Sequence, residues 1–406
     1  MRSTRNPGPL RSRTFAQAFN PRNNAFGFLR LALAVLVVFS HCFPLGGFGN
    51  DPLDGLSKGR LNIGLVAVTM FFALSGFLIA RSASTCPSII RFLWHRFLRI
   101  FPGYWVCLFV CACLFVPVMS FIEFDTLTGA FSLPWNSPQE FMIGNAGLFH
   151  LNEFSIPGTM FIQPNTIAGL LRQNPTPNIL NGTLWTLPIE VSCYLAVAAL
   201  AAVGLLRRAR FVVAALFVVS WGLYAFYYLD PIGFWSCFPY RGLRFLVMLC
   251  PFFAAGCACF VYREKIPYSL ALFVISVVLL AVSLPFGAFG LVAPIAIPYA
   301  FLWLAFALPF ARFDRKGDFS YGTYIYAFPA QQTLALLRLQ DFGFIAFFAG
   351  ALLVTSVFAF LSYRLIEAPC LRWKTLTIPS FWRRAETSAL PLGETGPAPS
   401  PAPAIV

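Results

Sequence analysis

Arg30 and His41 stand eleven residues apart in the first long apolar run, Phe26-Gly-Phe-Leu-Arg through Phe39-Ser-His-Cys-Phe-Pro44. At about 3.6 residues per turn, that spacing is about three turns. Both side chains then share one helix face, about 16 Å apart along the axis. Ionisable groups inside a lipid-crossing helix are costly and mark function by default. A lone arginine there can snorkel to the membrane edge, and a lone histidine can be a hydrogen-bonded packing residue. The two on one face, with Ser40 beside His41, favour chemistry: the imidazole as a general base or as a nucleophile that takes up the transferred group.

Glu190 lies in Leu-Trp-Thr-Leu-Pro-Ile-Glu (184–190), near the outer end of another apolar run. Five or six residues below the outer surface, at about 1.5 Å each, put His41 and Glu190 at similar depths of roughly 8–9 Å. A pair is expected, with the carboxylate orienting the imidazole and raising its basicity; the alternative is a structural lock between two helices. Arg91, His95, Arg96 and Arg99 recur at three- and four-residue steps. They predict a short basic helix on the cytoplasmic side, suited to phosphates or to anionic headgroups. Ser75-Gly76 is a small pair that lets helices approach closely, and the Ser75 hydroxyl is a weaker candidate to donate to an oxyanion.

The elements that must hold these residues are membrane helices. Of the 406 residues, 58% are hydrophobic and 11% charged, with mean hydropathy +0.73. Soluble domains carry about 25% charged residues. Ten apolar runs of span length are predicted at about 26–46, 62–81, 104–122, 184–206, 211–229, 242–262, 267–285, 288–310, 319–338 and 343–365. The fold class is an all-α integral membrane protein, about ten transmembrane helices with both termini cytoplasmic. Most of the 29 basic residues fall in segments that are then cytoplasmic, whereas Asp51, Asp54, Glu123, Asp125, Glu140, Glu153, Asp230 and Asp341 fall outside. The formal charge of +14 needs no nucleic acid and suits anionic membrane lipid.

The chain divides into three regions: a basic cytoplasmic arm at 1–25, expected to be mobile; a ten-helix domain at 26–370 with a long extracytoplasmic loop at 123–181; and a cytoplasmic Pro/Ala-rich tail at 371–406. The first span is read as a retained anchor, since no small-residue cleavage site comes after it. The eleven cysteines show no paired ligand spacing, so neither a metal nor a cofactor is expected. Most read as buried small hydrophobes, with only Cys42 and Cys237 near the outer face.

The ordered set Arg-x10-His, Phe-Phe-Ala-Leu-Ser-Gly-Phe-Leu (71–78), Arg-x2-Arg-Ile-x-Pro (96–102), Leu-Trp-Thr-Leu-x-x-Glu (184–190), Phe-Ser-Tyr-Gly-Thr-Tyr-Ile-Tyr (319–326) and Tyr-Arg-Leu-Ile-Glu-Ala-Pro (363–369) resembles the acyltransferase-3 family of membrane acyltransferases over about residues 25–370. The resemblance implies transfer of an acyl group, often acetyl, from cytoplasmic acyl-CoA to a hydroxyl of an exported or cell-surface carbohydrate, in the cytoplasmic (inner) membrane of a bacterium. It places the family's essential Arg and His on Arg30 and His41, and its basic pair on His95-Arg96. Tyr321 and Tyr324 of the ninth-span motif join Ser75, His95, Arg96 and Arg99 as substrate-binding candidates. The chain departs from the family pattern at His95 for Arg, Thr69 for Asp and Ala327 for His. A transporter or flippase would also have intramembrane charges, but the paired broken helices of repeated halves are not visible. A glycan polymerase or glycosyltransferase should carry paired acidic residues at its chemistry.

Overall fold

A computed structural model describes residues 13–57, 59–132, 138–148, 170–239, 243–313 and 317–375. The expected tail from 376, the first twelve residues of the arm and loop residues 149–169 lie outside the described residues. Among the described residues there is no strand, and ten long helices occupy the expected positions. They are α1 Phe26–Leu45, α2 Ile63–Thr85, α3 Ile89–Phe124, α4 Thr186–Ala202, α5 Arg210–Leu229, α6 Leu243–Val261, α7 Leu270–Ser283, α8 Phe289–Ala307, α9 Ser320–Leu336 and α10 Phe344–Arg372. Seven of these are long and apolar enough to cross a membrane: α1, α2, α3, α5, α6, α8 and α10. Helices α4 and α7 are shorter apolar helices of 17 and 14 residues. Helix α9 also has 17 residues, and its hydrophobic run is broken by Gln331 and Gln332.

The centre of the bundle is the crossing of α2 with α6. A Cβ on Gly76 would overlap the Phe253 carbonyl oxygen, and one on Gly256 would overlap that of Ala73. Only hydrogen fits at either place, so the backbones touch. The Cys257 thiol donates to the Gly76 carbonyl across the same crossing, at 3.3 Å. Around this centre, α7 presents Val274, Ile275, Val278, Leu279 and Val282 outward, and α5 presents Leu216, Val218 and Val219. These faces make an apolar belt fit for lipid, and the backbone polar groups beneath them are satisfied within the helices.

Three local features differ from the sequence expectation. The basic stretch before the third span is not a separate short helix. Helix α3 runs unbroken for 36 residues, through Pro102 and a five-residue π segment at Cys111–Phe115. Residues 13–25, expected as part of a mobile arm, are docked. Phe15 is fully buried among Tyr268, Tyr299 and Phe306, and the backbones of Phe15 and Ile266 are bonded at 2.9 Å. Two isolated phenylalanines, Phe15 and Phe19, anchor it without any apolar period. The end of the long loop also enters the bundle before α4 begins. Leu180, Asn181, Thr183 and Leu184 are all buried, and Asn181 Nδ2 donates to the Ile325 carbonyl of α9 at 2.8 Å. Irregular backbone at such depth is tolerated where it is buried in protein or lines a cavity. Here α9 supplies the partners. Gln332 Nε2 donates to the carbonyls of Thr176 and Ile179, while Asn174 Nδ2 donates to Gln332 Oε1 at 2.7 Å.

Candidate active site

Among the described residues, one cavity lies toward each end of α1. The inner one, about 140 Å³, is lined by Arg30, Ser75, Arg96, Arg99, Glu190, Tyr194, Tyr321 and Tyr324, with apolar walls from α2. The outer one, about 650 Å³, holds His41 together with Tyr104, Asn145, Thr183, Trp185, Tyr224, Tyr227 and Tyr228. Val68 and Tyr324 line both. They form the wall between the chambers, and Tyr324 is held there by a 2.9 Å hydrogen bond between its hydroxyl and that of Thr186.

The inner chamber is built around charge. Arg30 Nη2 lies 3.2 Å from Asp318 Oδ2, and Arg99 Nη2 lies 2.6 Å from the same oxygen. Arg99 Nη1 lies 3.3 Å from Glu367 Oε2. Asp318 also accepts from the Ser320 hydroxyl and amide. Burial works against its charge, but the Arg30 and Arg99 guanidiniums and the Ser320 donors prevail and hold its carboxyl well below the usual carboxylate range. Glu367 is turned inward by a second π segment, Tyr363–Glu367 in α10, and is 2% exposed. Its other oxygen accepts from Ser362 at 3.2 Å. Arg96, like Arg30, has an Nε buried without a hydrogen-bond partner, but it differs from Arg30 and Arg99 in that no ion pair ties it to a carboxylate among the described residues.

Glu190 belongs to this chamber. Its Oε1 accepts from the Tyr194 hydroxyl and, at 3.4 Å, from Ser75 Oγ. Ser75 and Tyr194 also bond each other at 3.3 Å. The expected pairing of Glu190 with His41 is not formed: they line different cavities, and no hydrogen bond or ion pair joins them. Helix α2 measures the separation. The outer cavity meets it at Gly64, Leu65 and Val68, whereas Glu190 meets Ser75, seven residues and about 10 Å further along. The chain descends through residues 180–185 before its helix starts, so Glu190 is deeper than a count from Leu184 suggests.

His41 stands edge-on to Phe328, with ring centroids 5.4 Å apart. Its Nδ1 is buried without a hydrogen-bond partner, so no carboxylate orients the ring. The neighbouring Ser40 is structural: its hydroxyl donates at 2.6 Å to Asp51, which also accepts the Ile63 amide and caps the turn after α1. Cys42, read as lying near the outer face, is buried against Gln331 Nε2.

Among the other candidates, Tyr321 donates to the Ile100 carbonyl at 2.9 Å and packs its ring where a Gly103 Cβ would stand. His95 does not line the inner chamber. Its Nε2 faces the Lys374 carbonyl at 3.3 Å, and Trp94 Nε1 donates to the Trp373 carbonyl at 3.2 Å. The segment after α10 is thereby fastened to the first turns of α3. Burial and then the nearby Arg96, Arg99 and Arg30 bring the Lys374 ammonium down to about 8. Asp318, Glu367 and Lys374 are not singled out by sequence alone. Glu367 was within reach, since it sits in the Tyr-Arg-Leu-Ile-Glu-Ala-Pro segment. A carboxylate in a mostly basic stretch, Arg312 to Asp318, is the available signal for Asp318.

A helical bundle with several membrane-length apolar helices, holding a charged chamber back to back with an aromatic one, defines a multi-pass membrane protein with a built interior site. The chain belongs to the acyltransferase-3 family: the family's profile, described as an acyltransferase domain, matches residues 23–364, and the protein is an acyltransferase. It is 26% identical over 366 residues to an O-acetyl transferase of Shigella phage Sf6, a match covering 85% of this chain and 95% of that relative. It is 31% identical over 175 residues to nodulation protein 10 of Rhizobium leguminosarum bv. viciae, covering 43% of this chain and 42% of that protein. No solved structure matches it.

Proposed function

We propose that this protein moves an acetyl group from acyl-CoA on the cytoplasmic side to a hydroxyl of an exported or cell-surface carbohydrate, within the inner membrane of a bacterium. In this reading all ten long helices span the bilayer and both termini are cytoplasmic. The observation that carries it is the pair of chambers meeting at Val68 and Tyr324, with unpaired Arg96 on one side and unpaired His41 on the other. The O-acetyl transferase similar over nearly its whole length supports acetyl and oxygen as donor group and acceptor atom.

The donor's phosphates meet Arg96, with Arg99 and Arg30 set by Asp318 and Glu367. The pantetheine arm passes Ser75 and Tyr321 toward Tyr324, and the thioester reaches His41. There the acceptor oxygen forms its bond to the acyl carbon as His41 takes the hydroxyl proton. The carbon–sulfur bond breaks, and the thiolate leaves to be protonated as free coenzyme A. In the two-step variant His41 first carries the acyl group itself. The Ser75–Tyr194–Glu190 cluster shapes the donor side.

The test is labelled acetyl-CoA with purified protein. His41→Ala is expected to lower transfer by more than about a thousandfold, the scale of a lost general base or nucleophile, while donor binding and abundance stay near wild type. Activity within tenfold of wild type would reject His41 as the reacting group. Transport of a glycan without acetyl-CoA consumption would reject the enzyme reading altogether.

A further inference from the structure

Cations are scarce on the face that this reading makes extracytoplasmic, yet two arginines stand in the wall of the outer cavity. Arg60 precedes α2, and Arg244 stands in the first turn of α6. Another arginine on that face, Arg338, is answered by Asp341 at 2.9 Å. Neither Arg60 nor Arg244 has an ion pair to a carboxylate among the described residues. Arg60 Nη1 reaches only the Gly287 carbonyl at 3.4 Å, and its guanidinium lies over the Tyr228 ring, 5.5 Å from the centroid. Asp54 lines the same cavity without pairing to either.

Beside the arginines, Trp185 packs its ring against Phe245 at 4.8 Å, and both line the cavity. An aromatic wall offers flat apolar faces of the kind on which a sugar ring can lie. A fork of guanidinium donors prefers carboxylate or phosphate. At about 650 Å³ the chamber has the size of a ligand pocket. We infer that the acceptor is an anionic carbohydrate, whose carboxylate or phosphate is held by Arg60 and Arg244 while a hydroxyl is presented to His41. This rests on the transfer reading above and adds the acceptor's charge to it.

The test is equilibrium dialysis of three probes against the full chain in neutral detergent: p-nitrophenyl glucuronide, p-nitrophenyl glucoside and glucose 1-phosphate. The glucuronide or the sugar phosphate is expected to bind at least tenfold tighter than the neutral glucoside, and which of the two does so identifies the anion. Arg244→Gln and Arg60→Gln should each erase most of that preference, and Arg60→Lys should restore part of it by keeping the charge. Equal binding of charged and neutral probes, or no binding of either anion, overturns the inference. So does displacement of the anionic probe by phosphatidylglycerol with the same arginine dependence, because the arginines would then serve headgroups. Acetyl-CoA consumption is measured separately. Consumption without anion preference sinks only this inference, whereas anion binding without consumption sinks the transfer reading.

Discussion

At the scale of single residues, the two arginines of the inner chamber that share a carboxylate differ from the third. Arg30 and Arg99 meet at one oxygen of Asp318, and a charge-assisted bridge of this kind is costly to break from one side. Asp318→Asn should therefore release both guanidiniums and weaken acetyl-CoA binding by about tenfold or more, corresponding to about 1.4 kcal/mol. Arg30→Lys keeps one charge near Asp318 but loses the fork, and should be an intermediate case. Titration of purified variants with acetyl-CoA checks the order. A lysine variant indistinguishable from wild type would return Arg30 to the snorkelling role. Glu190→Gln gives a sharper contrast. Because Glu190 lies with Ser75 and Tyr194 and not with His41, its loss should raise the KM for donor more than it lowers kcat. A cycle with His41→Ala should show independent effects on binding, since contacts this far apart add.

How far the site could be read from residues alone divides along the same line. Spacing on one helix was readable: Arg30 and His41 do face two chambers along α1, and Arg96 and Arg99 do enter the inner one. Partners on other helices were not. A count from a helix end fixes height roughly and gives no azimuth, so it pairs Glu190 with His41 although the two side chains line different chambers. Glu367 is displaced by a π segment, and a pattern of 3.6 residues per turn misplaces side chains beyond such a segment. The positions of the ten long helices were legible because apolar runs of that length have few other uses. The docking of residues 13–25 through Phe15 and Phe19 was not, because two aromatic anchors make no period.

At the scale of elements, the α2–α6 crossing brings two helix backbones into direct contact at Gly76 and Gly256. Gly76→Ala drives a methyl into the Phe253 carbonyl oxygen, so the helices must part. The variant should lose about 1–3 kcal/mol, as overpacked cores do, seen as a lower midpoint of thermal unfolding in detergent. Gly222→Ala on α5 is the matched control. Nothing lies within 4 Å of its Cβ, and exchanging a helix-interior glycine for alanine stabilises by up to about 1 kcal/mol. Equal behaviour of the two variants would show that the crossing is looser than its geometry.

At the scale of the whole molecule, the segment after α10 is fastened to the first turns of α3 and lies beyond the residues that match the family. Lys374 ionises near 8 in the folded protein and near 10.5 when free, a lowered value set by burial and by Arg96, Arg99 and Arg30. The unfolded chain therefore holds the proton between those values while the folded one releases it. The crowding disfavours the fold below about pH 8, and the penalty is relieved as pH rises toward 10.5. An anionic donor should reverse that crowding and draw a proton onto Lys374. Calorimetry of acetyl-CoA binding at pH 8.5, in buffers of different ionisation heat, should show proton uptake in wild type and less in Lys374→Arg, which stays charged throughout. Donor affinity should fall as wild type passes from pH 7 to 9 and hold flatter in the arginine variant. No uptake at pH 8.5 would remove Lys374 from the donor's surroundings.

The irregular stretch that carries Asn174 to Leu184 takes most of its hydrogen-bond partners from α9, with a further bond from Thr176 to the Pro44 carbonyl of α1, and Asn181 meets Ile325 across 144 positions of chain. During synthesis at about 5–20 residues per second, that gap is roughly 7–30 s in which the stretch exists and its α9 partners do not. Backbone without partners cannot remain in lipid, so until α9 arrives the segment must wait in water, outside the bundle. The floor of the outer chamber is thus among the last parts to assemble, and a chain that stops short of α9 inserts its early helices without ever gaining a place for its acceptor.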